Sequence, residues 1–204
     1  IRILKQRIAA GSGGANLYFD LANAYLASDQ LQDSVRAFRQ GLTIDRQNPQ
    51  AYNNLGIALK QQGNLNDAET AFQSAVKLAP QLGLPHRNLG ELHRIRGNRK
   101  IAIAYFEDAI RLNPDDAEAH NGIGMTVATF ALPEKAIEHF RKAIELDGAH
   151  KAAANNLAIL LSATGQSREA VEIFKQTIEK NPDFSTARVN LGSLLIELGQ
   201  FKEA

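Results

Sequence analysis

The chain contains no cysteine, which excludes a disulfide framework, a thiolate metal site and a redox dithiol and leaves the compartment open. An excess of charge of one sign is also missing: 23 basic residues stand against 22 acidic ones, a formal net charge of +1. No run of like charges breaks that balance, so no general attraction to nucleic acid or to an anionic membrane surface is implied. No apolar run approaches the roughly 18 to 20 residues needed to span a bilayer, and the first ten residues carry Arg2, Lys5 and Arg7 among the apolar ones, unlike a signal peptide. A soluble chain is expected, with the cytoplasm the favoured location.

What the chain does have is a repeat. Leu21-Ala22, Leu55-Gly56, Leu89-Gly90, Ile123-Gly124, Leu157-Ala158 and Leu191-Gly192 place an aliphatic residue before a small one every 34 positions without slippage. Twelve residues after each small one comes Ser34, Ala68, Ala102, Ala136, Ala170 or Ala204, and four further on Phe38, Phe72, Phe106, Phe140 or Phe174. The same register puts Gly63, Gly97, Gly165 and Gly199 between two helical stretches, and Pro80, Pro114 and Pro182 at repeat ends.

Each residue type has a physical reason to stand where it does. A small residue on the first helix of a pair lets the second helix approach closely, and the Ala and Phe of the second helix fill the matching hole. Glycine supplies the left-handed conformation that ends a helix, and proline cannot continue one. Asp115 and Asp116 suit a helix start. Two helices of about 14 residues cannot bury their apolar faces alone, so the pairs must stack. The spacing predicts first helices over 15–28, 49–62, 83–96, 117–130, 151–164 and 185–198, and second helices over 31–45, 65–79, 99–112, 133–147 and 167–180.

At these residues the chain resembles the tetratricopeptide repeat family, across residues 15 to 204. The resemblance implies an all-α, right-handed superhelical solenoid of antiparallel helix pairs. Its repeats would be 15–48, 49–82, 83–116, 117–150, 151–184 and a truncated sixth at 185–204. Departures from the family pattern are Ser34 for alanine, Gly41 and Thr177 where a later alanine is usual, and Arg46 and Gly148 in place of proline; they put local packing in question and not the fold.

In this family the first helices line the concave face, so specificity is expected on their exposed positions. The residue before each aliphatic-small pair is Asp20, Asn54, Asn88, Gly122, Asn156 or Asn190. Asparagine is a mediocre helix former, and its amide offers a donor and an acceptor together, matching the N–H and C=O of an extended peptide. Helices about 8 to 10 Å apart would present one such amide for roughly every three residues of a strand-like ligand. This is similar to the asparagine ladder of the superhelix attached to O-linked N-acetylglucosamine transferase, where the ladder binds substrate backbone; Gly122 interrupts it here, and Asp20 accepts without donating. The alternative is that the amides bond between adjacent first helices.

Beside the ladder, the expected peptide-contacting set continues with Asn23, Asn53, Ile57, Lys60, Arg87, Glu91, Arg94, Asn121, Met125, Asn155 and Ile159. Arg87 and Arg94 lie two turns apart and suit a carboxylate or phosphate, although pairing of Arg87 with Glu91 on a solvated face accounts for them more simply. The Lys, Asn and Arg set of the family's carboxylate clamp is not seen.

Residues that would carry catalysis are lacking. There is no Gly-rich phosphate loop, no His-Glu-x-x-His and no cysteine nucleophile, and Gly122-x-Gly124 falls inside a helix as packing residues. His86 and His93 share a helix, but seven residues at about 1.5 Å each hold them about 10 Å apart, too far for one metal ion. His86 and His120 occupy the same repeat position and are read as core rings. No catalytic residue, metal or cofactor is expected. The function implied is a scaffold that holds a segment of a partner protein in its groove; the alternatives are a substrate-targeting arm of a larger enzyme such as a glycosyltransferase, and a self-assembling structural module.

Residues 1–14 are read as lying outside the repeat. Ile1 to Ala10 is basic and apolar, and Gly11-Ser12-Gly13-Gly14 has the composition of a flexible linker. One reading is an engineered fusion in which residues 1–10 are a tethered ligand, anchored by Ile3, Leu4 and Ile8, with basic residues near Asp20 and Glu91, in its own groove or exchanged to form a dimer. The other is a leader helix, with Ile1, Leu4 and Ile8 capping the first repeat. The end at Ala204 and the missing initiator methionine suggest a piece of something longer, or open ends that meet another molecule.

Overall fold

The structure, a computed structural model, describes residues 1–11, 14–128 and 132–200. Ser12 and Gly13 of the expected linker, residues 129–130 at the end of the expected fourth first helix, and Ala204 lie outside the described residues. Among the described residues there are helices and no strands: α1 (Arg2–Ala9), α2 (Ala15–Ala27), α3 (Leu31–Ile44), α4 (Pro49–Gln61), α5 (Leu65–Leu78), α6 (Gly83–Ile95), α7 (Arg99–Leu112), α8 (Ala117–Ala128), α9 (Pro133–Leu146), α10 (Lys151–Ala163), α11 (Ser167–Lys180) and α12 (Ser185–Glu197). They group into two compact units, Ile1–Arg96 and Gly97–Ala204. In the first, α1 lies on α2, the pairs α2/α3 and α4/α5 stack through α3 and α4, and α5 meets α6. In the second, α7 meets α8, the pairs α8/α9 and α10/α11 stack through α9 and α10, and α11 meets α12.

The helices end for the reasons the sequence suggests. Gly63, Gly165 and Gly199 adopt φ of +81°, +82° and +74°. At the first of these, the Gly63 N–H reaches the Lys60 carbonyl at 3.0 Å and the Asn64 N–H reaches Leu59 at 2.9 Å, satisfying carbonyls that a helix end leaves open. The same wrap closes α2 with a different residue: Asp29 takes φ +56°, with its own N–H on Leu26 at 3.1 Å and the next on Tyr25 at 2.9 Å. At the starts, Asn48 Oδ1 accepts from the Ala51 N–H at 2.9 Å, and Asp116 Oδ1 from the Ala119 N–H at 3.0 Å.

Packing turns on a phenylalanine of each second helix. Phe38, Phe72, Phe106, Phe140 and Phe174 are all buried, with Ala68, Ala102, Ala136 and Ala170 beside them. A Cβ added to Gly56 would stand 2.5 Å from the Phe72 ring, and one added to Gly124 would stand 2.6 Å from Phe140. The glycines are the space that the rings fill.

The departures from the pattern are compensated in place. Gly41 stands where alanine is usual because the Phe19 ring occupies the site of its Cβ, at 2.4 Å. Ser34 is buried, and its hydroxyl donates to the Ala22 carbonyl at 2.9 Å. Thr177 is likewise buried and donates to Ile173 at 2.6 Å. Gly148, in place of proline, offers its carbonyl to Lys180 Nζ at 3.0 Å.

Two places call for comment. Leu4 and Ile8 of α1 lie 34 positions before Phe38 and Leu42, the spacing that relates one second helix to the next. Helix α1 packs on α2 with Leu4 and Ile8 half-buried, Lys5 Nζ 5.3 Å from the Tyr25 ring centre and Ile3 68% exposed. That is the leader-helix arrangement, with Ile3 not an anchor. His120 differs from buried His86: it is half-buried, with its Nδ1 3.1 Å from His139 Nδ1. Burial lowers the pKa of both rings, and the neighbouring His139 lowers that of His120 further.

Gly124→Ala is expected to destabilise the chain by about 1 to 3 kcal/mol through overpacking against Phe140. Asp29→Gly should instead stabilise it, by up to about 1 kcal/mol, because glycine adopts the left-handed conformation without a Cβ clash. Urea unfolding followed by circular dichroism measures both.

Candidate binding face

Each unit carries a candidate face on its first helices, α2, α4 and α6 in one and α8, α10 and α12 in the other. On each face the asparagines fall at two adjacent positions with different tasks. Asn53, Asn121 and Asn155 are buried, at 3%, 5% and 8% exposure. Each accepts, at Oδ1, from the Nδ2 of the amide 35 residues on: Asn88 to Asn53 at 2.8 Å, Asn156 to Asn121 at 3.1 Å and Asn190 to Asn155 at 2.8 Å. The amides therefore do bond between adjacent first helices, three times with the same polarity.

The exceptions have physical causes. Asn54 has no amide to reach 35 residues back, where Phe19 stands, and it donates instead to Asn23 Oδ1 at 3.0 Å while accepting from Asn53 Nδ2 at 3.2 Å. Gly122 breaks the row because a Cβ there would stand 2.4 Å from the Phe106 ring; the ring excludes any side chain.

The half-exposed residues of the face are Asn54, Asn156 and Asn190, with Ile57 and Met125, while Asp20 and Asn23 are exposed and Ile159 is 46% exposed. Asp20, Asn23 and Asn54 come together with Asn16 and Phe19 around a surface concavity of 180 Å³ in the first unit. In the second unit Ile159 and Asn190 line another, of 280 Å³, with Ser193, Leu194 and Glu197. Each unit thus places apolar surface next to an amide.

Charged side chains cluster on the face in the first unit. Glu91 holds Arg94 through both of its oxygens, at 2.7 and 2.8 Å, which raises the Arg94 pKa. Lys60, one helix away, has its pKa lowered, first by burial; Glu91 opposes that shift, and Arg87 and Arg94 add to it. Sequence reasoning missed this convergence on Lys60 because α4 and α6 bring it about, and no spacing within one helix signals it. It also missed Ser193, although the same repeat position supplies Asn23, Ile57, Glu91, Met125 and Ile159 to the expected set, and Glu197, whose repeat position carries no recurring residue type. Among the described residues no group of three or more possible metal ligands occurs and no helix is long and apolar enough to cross a membrane.

Comparison with known proteins gives a consistent result. A family model described as TPR repeat matches residues 22–63, and three described as tetratricopeptide repeat match 49–115, 87–153 and 163–204. No curated protein matches the chain in sequence. Among solved structures, MamA is 24% identical with a TM-score of 0.67, covering 84% of this chain and 94% of its own. YrrB, described as a TPR protein with an unusual peptide-binding site, is 22% identical with a TM-score of 0.63, over 92% and 96%. The pilF protein of Pseudomonas aeruginosa is 17% identical with a TM-score of 0.81, over 93% and 86%. At these identities the likeness is one of fold.

Removing a buried acceptor should cost stability whether or not anything binds. Asn155→Ala leaves Asn190 without its partner and is expected to destabilise by about 1 to 3 kcal/mol. A double-mutant cycle with Asn190→Ala should return a coupling of about 1 kcal/mol in urea unfolding.

Proposed function

The chain belongs to the tetratricopeptide-repeat family, and we propose that it is a non-catalytic protein-interaction scaffold holding an extended segment of a partner protein on the face of its first helices. The observation that carries this reading is the division of labour among the asparagines. The buried row, Asn53, Asn121 and Asn155, fixes the orientation of the amides that reach back to it. Asn156 and Asn190 each use one N–H in that bond, and an amide has a second N–H and a carbonyl oxygen to offer. Amides held in place lose less freedom when a ligand arrives, which favours binding.

Around them, Ile57, Met125 and Ile159 offer apolar contact, while Asp20, Asn23, Arg87, Asn88 and Glu91 complete the proposed contact set. A backbone-reading amide beside an apolar pocket suits a ligand whose main chain is bonded and whose alternate side chains are buried, the logic of extended-peptide recognition. YrrB, similar in fold, is described as having an unusual peptide-binding site, which supports peptide binding as the kind of activity and does not bear on the face. Neither the amides nor the concavities carry a large net charge, so affinity is expected to depend weakly on salt.

The test is peptide selection on the purified chain from a displayed library, followed by affinity measurement with Asn54→Ala and Ile159→Ser. Ile159 is partly in solvent, so its serine variant should leave stability nearly unchanged while weakening the selected peptides about tenfold, the worth of roughly 1.4 kcal/mol of apolar contact. Equal affinity in wild type and both variants, at several salt concentrations, would assign the asparagines to the fold alone.

A further inference from the structure

Two histidines in the second unit take no part in the binding face. His120, on α8, and His139, on α9, have ring centres 5.3 Å apart and planes inclined at 35°, with the Nδ1 atoms 3.1 Å from each other. At that separation one ring carries hydrogen on Nδ1 and the other offers a lone pair, since two Nδ1–H groups would collide. The pair joins the two helices of one repeat through side chains 19 residues apart in sequence.

The same spacing matches a different occupant. Metal–nitrogen bonds to imidazole run about 2.0 to 2.1 Å. Two nitrogens 3.1 Å apart then subtend about 95 to 102° at an ion equidistant from both, by triangle geometry on those bond lengths. That lies between the roughly 90° of a square-planar or octahedral complex and the roughly 109° of a tetrahedral one, so both nitrogens can hold neighbouring positions on one ion, and the affinity order of nitrogen donors, highest for Cu²⁺, selects which. Both rings are half-buried, so they are held by packing yet open to solvent on one side. The charged groups acting on them are Asp116, Glu107, Glu138 and Glu145 against Lys135 and Lys142, an acidic excess that favours a cation.

We propose that His120 and His139 form a two-histidine chelate for a divalent late transition-metal ion, Cu²⁺ or Ni²⁺, bridging α8 and α9. On binding, the ring that carries its hydrogen on Nδ1 shifts it to Nε2 through solvent, so both Nδ1 lone pairs face the ion and no net proton is released from the neutral pair. Both rings tilt from their present head-to-head contact, and water fills the remaining coordination positions. With no third His, Cys, Asp or Glu ligand grouped there among the described residues, the ion exchanges readily. Preference then follows the intrinsic order, Cu²⁺ above Ni²⁺.

The experiment titrates CuCl₂ and, separately, NiCl₂ into the full chain in a non-chelating buffer at neutral pH. Calorimetry reads the stoichiometry, and for Cu²⁺ electron paramagnetic resonance reads nitrogen hyperfine splitting. One equivalent with two coordinated nitrogens is expected, and the melting temperature should rise with metal concentration because the ion binds only the folded arrangement. His120→Gln and His139→Gln should each weaken uptake by about a hundredfold, since removing one of two linked ligands forfeits the effective concentration of the second. Circular dichroism of both variants establishes that they fold. Uptake that is the same in the wild type and in both folded variants, or a folded wild-type chain that takes up neither ion, would overturn the chelate.

Discussion

The contact on which the rest of each unit depends is that between a phenylalanine of a second helix and a glycine of its partner first helix, Phe72 with Gly56 in one unit and Phe140 with Gly124 in the other. The would-be Cβ of Gly56 stands 2.5 Å from Phe72 and that of Gly124 stands 2.6 Å from Phe140, closer than carbon atoms can approach. Close approach of the helices follows, and with it the distance between successive first helices. That distance lets Asn88, Asn156 and Asn190 reach amides 35 residues earlier at 2.8 to 3.1 Å. The candidate face is thus a product of the core: the amides are in reach of each other because the rings have somewhere to go.

The same dependence accounts for the irregularities. Gly41 and Gly122 stand outside the usual pairing of a first-helix glycine with a second-helix ring, yet each makes room for a ring: Phe19 of its own pair for Gly41, and Phe106 of the preceding helix for Gly122. In the first case the ring takes the place of an alanine methyl; in the second it removes an amide from the row. Ser34 and Thr177 bring hydroxyls into the core and satisfy them on carbonyls of Ala22 and Ile173, which keeps the buried polar cost low.

Much of the fold was legible because its determinants are local and recur. The 34-residue spacing of small residue, alanine and phenylalanine places α2 to α7 and α9 to α12 within a residue of their observed bounds. The spacing of α1 was not read because Leu4 replaces the phenylalanine and Arg7 the small residue that follows it, so the two strongest markers of a second helix are absent. Of the face, the sequence shows which positions carry amides and not what they bond to, since an amide serves a neighbour and a ligand equally well. Burial separates Asn53, Asn121 and Asn155 from Asn54, Asn156 and Asn190, while Asn88 is as buried as Asn155, and burial depends on packing between helices. The His120–His139 contact was illegible for a related reason: His86 and His120 share a repeat position, whereas His139 recurs nowhere and meets His120 only when α8 and α9 pack.

The central claim is that the half-exposed amides read the backbone of an extended segment. Its most direct test is an N-methyl scan of a peptide selected on the chain, in which each backbone N–H in turn is replaced and the affinity measured. The account predicts losses at positions about three residues apart, the spacing that neighbouring first helices impose on an extended chain, with tolerance between them. Uniform tolerance along the peptide, with affinity set only by its side chains, would contradict it.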